Sequence, residues 1–349
     1  MPATPGNPTA RRPRIAVFGA GSVGCHLGGH LAPHAEVTLV GRPSVLDALG
    51  DGLTLSGGGR PPVRVPADAL TLSTQPDAVA EADCVLVTVK SAATAAAGRE
   101  LAGRLRPDAV VVSLQNGLRN PELLRAELPG ASVLAGMVPY NVVRTAPDTF
   151  HQGTAGTLML DDGPAAALPA GALAAAGLPV ETRGDMREVQ HAKLLMNLNN
   201  AVNALSGLPL REQLGLRAYR ACLALCQEEA LAAFAAEGVR PARLGPLPPR
   251  LTPRLLRLPD ALFRRLAAAS LRVDAQARSS MWEDLERGRT TEIDGLQGEV
   301  VALAGRHGLR APVNAALAAL VREAERPGGR RDWPGPDLLR AITAQGLTP

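Results

Sequence analysis

Lys193, Asn197 and Asn200 recur at about one-turn spacing in HAKLLMNLNNAVNALSG, residues 191–207, so a helix would set an ammonium and two amides along one side. Leu194, Leu195, Leu198, Val202 and Leu205 repeat at helical spacing and mark the same segment for packing against a core. A buried amide or ammonium without partners costs about 1–3 kcal/mol or more, so the strip must face water, another polar group or a ligand. An ammonium there can stabilise an oxygen that gains charge and then give it a proton, while the amides hold substrate oxygens without adding charge. A half-exposed helix whose Asn side chains bond to backbone fits the same pattern, and the segment alone leaves both readings open.

RSSMWEDLERGRTTEIDG, residues 278–295, is the second cluster. Ser279 and Ser280 precede a helix whose Glu283, Asp284 and Glu286 read as solvent-facing and salt-bridged. Glu292 stands at the start of a fresh helix with Thr290 or Thr291 as a cap, and a carboxylate in that place commonly serves the helix terminus itself.

GAGSVG, Gly19 to Gly24, adds a nucleotide site. IAVF before it is a short apolar strand and the residues after it can be helical. Gly19 allows the tight turn, Ala20 and Gly21 let a pyrophosphate approach backbone, and Gly24 lets the helix pack closely. Ser22 and Val23 open that helix, whose first N–H groups suit phosphate. The second strand ends VTLVGRP, with Gly41 and Arg42 where a carboxylate would bind a free ribose 2′-hydroxyl. Arg42 suits a 2′-phosphate, so NADP is expected over NAD. Lys90, at the end of VTVKS, is placed to contact the cofactor's phosphate or ribose, and Asn116 ends the strand of LQNG. Both also suit ordinary turns.

The elements that must carry these residues follow from periodicity. Short Val- and Ile-rich runs at 15–18, 36–42, 84–91 and 109–117 read as strands, with an Ala-rich helix at 92–105 between two of them. Such runs alternating with helices imply a parallel sheet covered on both faces, so this half is α/β. Helical periodicity prevails over 186–205, 212–237, 251–271, 276–286, 290–307 and 313–325, with PARLGPLPPR breaking two of these helices. Residues 1–13 and the tail from 326 to 349 read as flexible or appended termini.

Composition narrows the class of partner. A chain of 349 residues with 46% hydrophobic content is long enough for two domains, and 2% aromatics leave no stacking platform for nucleic acid. The net charge of +4 fits anionic ligands or a solvated surface. Cys25, Cys84, Cys222 and Cys226 follow no metal spacing, and the last pair shares a helix face, which suits core. Without a signal peptide or an apolar span of membrane length, a cytoplasmic setting with no membrane association is expected. Ala and Leu helix faces leave a homodimer open.

GAGSVG, the LQNG strand end, Lys193 and Asn197 in HAKLLMN, and SSMWEDLERGRTTEIDG together resemble the 2-dehydropantoate 2-reductase, or ketopantoate reductase, family, over residues 14 to 325 in the expected order. The resemblance implies an amino-terminal Rossmann-type dinucleotide-binding domain over 14–184, a mostly α-helical carboxy-terminal domain over 185–325, and a cleft between them. It also implies NADPH-dependent reduction of 2-dehydropantoate to (R)-pantoate, with hydride delivered to the C2 carbonyl. By the same resemblance, Lys193 is the general acid and Glu292 orients the substrate's hydroxyl and supports the lysine. Ser280 would bind substrate, and Asn116 would lie near both nicotinamide and substrate. Asn197 matches one of the family's helix asparagines; the next position, two turns after the lysine, is Ala201, flanked by Asn200 and Asn203. A different branched 2-oxo acid as substrate, or a non-catalytic NADP-binding sensor, are the alternatives.

Overall fold

The uninterrupted apolar runs IAVF, CVLV and VVVS become strands buried along nearly their whole length. The structure, a computed structural model, describes residues 11–266 and 277–344. Residues 1–10 of the expected leader, the end of the helix expected over 251–271, and the first residue of the helix expected from 276 lie outside the described residues.

The strands are β1 (Arg14–Phe18), β2 (Glu36–Val40), β3 (Leu53–Gly57), β4 (Arg60–Val65), β5 (Leu70–Ser73) and β6 (Cys84–Val87), followed by β7 (Val110–Ser113), β8 (Ser132–Met137), β9 (Val142–Ala146), β10 (Thr149–Gln152), β11 (Leu158–Asp161) and β12 (Val180–Arg183). The first helices are α1 (Ser22–Leu31), α2 (Pro43–Leu46), α3 (Thr94–Leu101), α4 (Asn120–Glu127) and α5 (Ala167–Ala175). The larger sheet runs β12-β11-β8-β7-β6-β1-β2-β5. Its core from β5 to β8 is parallel, whereas β11 is antiparallel to β8 and parallel to β12. Alternation sends Ile15, Val17, Leu86 and Val112 into the core on one face, and Ala16, Phe18, Val87 and Val111 into the core on the other.

Register is what gathers the motifs. Phe18 pairs with both Val40 and Val87, and Val87 pairs with Ser113, so β1, β2, β6 and β7 end level. Gly19, Arg42, Lys90 and Asn116, each at or just past a strand end, therefore share one rim, the carboxyl edge where open α/β sheets bind ligands.

A second sheet, β4-β3-β10-β9, takes two of its strands from SVLAGMVPYNVVRTAPDTFHQGTAGTLMLD, residues 132–161, whose strand-like runs broken by turns did not by themselves point to a separate sheet. It joins β3 to β10 in parallel across a long stretch of chain, and its edge strand β4, RPPVRV, is mostly exposed and carries two prolines that no central strand would accept.

The helical half contains α6 (Met186–Asn197), α7 (Asn199–Ser206), α8 (Leu210–Gly215), α9 (Arg217–Ala236), α10 (Thr252–Leu256), α11 (Asp260–Leu266), α12 (Ser280–Glu286), α13 (Ile293–Arg306), α14 (Pro312–Ala324) and α15 (Gly335–Ala344). Three expected helices are interrupted. The opening segment changes helix at Leu198, whose carbonyl accepts from Gln297 Nε2; Leu216 is extended between α8 and α9; and Pro259 separates α10 from α11. The long α9 packs against α7, α10, α13, α14 and α15. Part of the tail read as an appendage joins this core, because Leu338 and Ile342, four residues apart on α15, are fully buried in it. All four cysteines are buried and free.

Candidate active site

The glycine turn meets the steric demands of a dinucleotide cradle. Gly19 has φ +115°, and a Cβ there would lie 2.6 Å from the Val89 backbone nitrogen. At Gly24 a Cβ would come within 2.3 Å of the Gly19 carbonyl oxygen, so α1 reaches this depth only without a side chain. At Gly21, by contrast, a Cβ would meet nothing within 4 Å, and the open space lies over the backbone that must face the pyrophosphate. Ala20 is buried against Gly41, while Ser22 and Val23 begin α1. Arg42 is exposed just past the end of β2, and its guanidinium has no hydrogen-bond or ion-pair partner among the described residues. These residues fit a dinucleotide with a charged 2′-substituent.

Lys90 is held by partners of the protein's own. Its Nζ lies 2.8 Å from Asp284 Oδ2 and donates to the Thr290 carbonyl at 2.8 Å, linking the rim of the parallel sheet to α12 and the loop beyond it.

Beside it, a chain of hydrogen bonds joins both halves. Asn197 Nδ2 donates to Asn116 Oδ1 at 3.2 Å, and Asn116 Nδ2 donates to Glu292 Oε2 at 3.3 Å. The other carboxylate oxygen, Oε1, accepts from the Ser91 backbone N–H at 3.2 Å. Ser91 Oγ stands 2.5 Å from the Asn116 carbonyl and 3.1 Å from Glu292 Oε1, and its single hydrogen serves one of them at a time. Asn120 Nδ2 also donates to the Asn116 carbonyl, at 2.6 Å. Glu292 makes no capping bond to α13; the hydroxyl of Thr291 takes that place by accepting from Ile293 N–H. Its carboxylate instead fixes the Asn116 amide at the rim.

Lys193 lines the adjoining cavity with Asn116, Asn197 and Asn200. Although part of its side chain is open to this space, enough protein surrounds the ammonium that burial lowers its pKa from 10.5 to about 8. Its one hydrogen bond among the described residues is to the Pro139 carbonyl at 3.4 Å, and none reaches Glu292. The cavity measures about 510 Å³ and is closed on the other side by α12 and by β9 and β10 of the small sheet.

Ser279 and Ser280 both line the cavity, and Ser279 is also the N-cap of α12, its hydroxyl accepting from Trp282 N–H. The two asparagines flanking Ala201 part company. Asn200 faces the cavity, but Asn203 is fully buried, accepting from Ser279 N–H at 2.9 Å and donating to the Leu208 carbonyl. Asn203 thus positions the start of α12. The solvent-facing reading of the α12 acids needs correction at two of three positions. The side chains of Glu283, in the cavity wall, and Asp284, against Lys90, are both largely buried, because the small sheet and the rim of the parallel sheet cover that side of the helix; Glu286 alone of the three is exposed.

Residues 15–164 match the family Ketopantoate reductase PanE/ApbA, and residues 185–325 match Ketopantoate reductase PanE/ApbA C terminal. The chain belongs to the ketopantoate reductase family. It is 32% identical over 327 residues to the 2-dehydropantoate 2-reductase of Halobacterium salinarum, a match that covers 90% of this chain and 100% of that protein. The crystal structure of the PanE/ApbA family ketopantoate reductase from Ralstonia eutropha JMP134 aligns with a TM-score of 0.75 at 34% identity, covering 89% of this chain and 98% of that one. A D-mandelate dehydrogenase solved with NADH and anilino(oxo)acetate shares the fold, with a TM-score of 0.72 at 20% identity and the same coverage.

As a ketopantoate reductase family member the chain is an oxidoreductase with a pyridine-nucleotide-binding fold. Sequence reasoning missed Ser91, Asn120 and the Pro139 carbonyl. A serine in a turn and a backbone oxygen carry no compositional signal, and only register brings them beside Glu292 and Lys193.

Proposed function

We propose that this chain reduces 2-dehydropantoate to (R)-pantoate with NADPH, with Lys193 as the general acid. The observation that supports this best is the meeting of Lys193, Asn197 and Asn116 in one cavity, at the sheet rim that also carries the glycine turn. The dinucleotide, when bound, supplies the hydride for the C2 carbonyl. Gly19 to Gly24 would hold its pyrophosphate and Arg42 its 2′-phosphate. Asn116, its amide fixed by Glu292 and Asn197, would keep the carbonyl end of the substrate in register with the rim. Ser280, with Arg278 stacked on Trp282 at 4.2 Å, offers donors for the substrate carboxylate. Lys193 Nζ would then transfer a proton to the C2 oxygen as that oxygen gains charge. The decisive measurement is NADPH absorbance on adding 2-dehydropantoate. Tight NADPH binding without oxidation across a panel of 2-oxo acids would sink the proposal in favour of a nucleotide sensor.

The pKa of Lys193 sets the pH dependence. Reduction consumes a proton, so the ammonium is the active form; with a pKa of about 8, kcat for reduction should be level at lower pH and fall as pH rises through that value. Oxidation of the hydroxy acid, which needs the free amine, should show the opposite limb. A reduction profile flat from pH 6 to 10 would exclude Lys193 as the acid.

Arg42 sets cofactor choice. Arg42→Ala should raise KM for NADPH by roughly tenfold and change KM for NADH little, since only the phosphate loses its partner. Equal effects on the two cofactors would count against this role.

A further inference from the structure

Glu325, the C-cap of α14, has no part in the reaction above, yet the two donors it holds belong to the turn that carries Glu292. Its Oε1 accepts from the Thr291 N–H at 2.8 Å and from the Thr291 hydroxyl at 2.7 Å. With its single hydrogen committed to Glu325, that hydroxyl presents a lone pair to the Ile293 N–H, so one carboxylate oxygen also orients the cap of α13. Thr291 is 8% exposed, and neither donor has ready access to water in place of Glu325. One turn earlier on α14, Arg322 Nε donates to Asp294 at 3.2 Å, on the other side of Glu292. Those two side chains are 50% and 77% exposed, which makes this pair a weak restraint beside the first.

The parallel-sheet half grips the same turn from the other direction. Lys90 donates to the Thr290 carbonyl, and Ser91 and Asn116 donate to the Glu292 carboxylate. Glu325 supplies the opposing hold from the helical half. The bonds thus form a path that starts and ends in that half: from Asn197 to Asn116, from Asn116 to Glu292, and through the neighbouring Thr291 to Glu325. Asn116 is the one rim residue in the path and is held from both ends. We infer that Glu325 is a positioning residue for the reduction: by fixing Thr291 it holds Glu292, and through Glu292 it keeps the Asn116 amide in register with Lys193. This rests on the reductase reading above. Without Glu325 the turn would follow the parallel-sheet half, to which those other bonds attach, and the Asn116 side chain would keep its bond from Asn197 as its tie to the helical half. A misplacement of about 1 Å between groups that hold and protonate a substrate can cost up to about a hundredfold in rate.

The test measures kcat/KM for 2-dehydropantoate with NADPH, together with amide hydrogen exchange in segments 290–294 and 115–120. Glu325→Ala should lower kcat/KM by roughly tenfold, leave KM for NADPH within about twofold, and quicken exchange in both segments. Glu325→Gln, whose amide oxygen can still accept from both Thr291 donors, should recover most of the loss. Arg322→Ala, which removes only the exposed pair, should behave as the parent. The decisive comparison is made in a Glu292→Ala background, where the path is already cut. There Glu325→Ala should cost less than about twofold more and add nothing to exchange at 115–120. Losses that multiply, or exchange that quickens at 290–294 alone, would reduce Glu325 to a structural cap and overturn the inference. Should Glu325→Ala not fold, Thr291→Val, which removes the hydroxyl and keeps the N–H, carries the same comparison at smaller amplitude. A parent that turns over no 2-oxo acid but shows the exchange coupling removes the reductase reading and leaves the hold of Glu325 on Asn116 in place. Absence of both turnover and coupling overturns both.

Discussion

Lys193→Ala should lower kcat for reduction by roughly a hundredfold to ten-thousandfold, the contribution of a positioned general acid, while changing KM for NADPH little. In free-energy terms this is about 3–5 kcal/mol of transition-state stabilisation. The geometry gives the loss a specific origin. Lys193 is the ammonium in the wall beside Asn116 and Asn197, with one long hydrogen bond to the Pro139 carbonyl, so most of its donor capacity faces the cavity. Lys193→Arg separates the two parts of the role. A guanidinium retains the positive charge but cannot give up its proton near neutral pH, so it should recover some of the electrostatic stabilisation and none of the pH limb near 8. Stopped-flow NADPH oxidation with saturating substrate measures the step directly. An Ala variant within threefold of the parent would remove Lys193 from the mechanism.

Residues that solve a local problem were legible in the sequence. The demands on Gly19, Gly21 and Gly24 come from the turn and its immediate neighbours, so the motif alone states them. The polar strip was legible because helical period fixes which residues share a side, and Lys193, Asn197 and Asn200 do line one cavity even though the helix changes at Leu198. What stayed hidden depends on contacts between distant segments. Glu283 and Arg287 form an i, i+4 pair that reads as solvent-facing charge, and only the arrival of β9 and β10 over α12 makes it a cavity wall. Glu292 has the local look of a helix-start carboxylate, and its contact with Ser91 crosses from one half of the fold to the other. The ion pair of Lys90 was hidden for the same reason, since Asp284 is brought to it by packing. Leu338 and Ile342 had the right spacing to join a core, but the glycines, prolines and arginines before them obscured it.

The largest stability effect should come from Arg220, on α9, which was not singled out in the sequence because arginine is abundant throughout. Its side chain is fully buried, and its guanidinium donates to three carbonyls: Nη1 to Leu214 at 3.0 Å, Nε to Leu256 at 3.0 Å and Nη2 to Leu258 at 2.8 Å. Nη2 also lies 2.8 Å from Asp260 Oδ1, and the guanidinium carbon sits 4.2 Å from the Phe263 ring centroid. One planar fork therefore ties the end of α8 and the turn between α10 and α11 to the central helix. Arg220→Ala should cost about 3–5 kcal/mol, read as a lower urea midpoint, because it leaves buried carbonyls without donors and a void beside Phe263. Arg220→Lys should recover little, since a single ammonium cannot span three divergent acceptors. Asp260→Ala should cost no more than about 1 kcal/mol, because its carboxylate is 42% exposed and water replaces the partner. That ordering separates fork geometry from simple charge pairing, and an Asp260→Ala loss equal to that of Arg220→Ala would reverse the explanation. The consequence reaches the site through α8, whose first residue, Leu210, lines the cavity and donates its N–H to the Ala277 carbonyl just before Ser279 and Ser280. Loosening α8 should therefore raise KM for the acid substrate at temperatures where the variant is still folded, a change that Asp260→Ala should not produce.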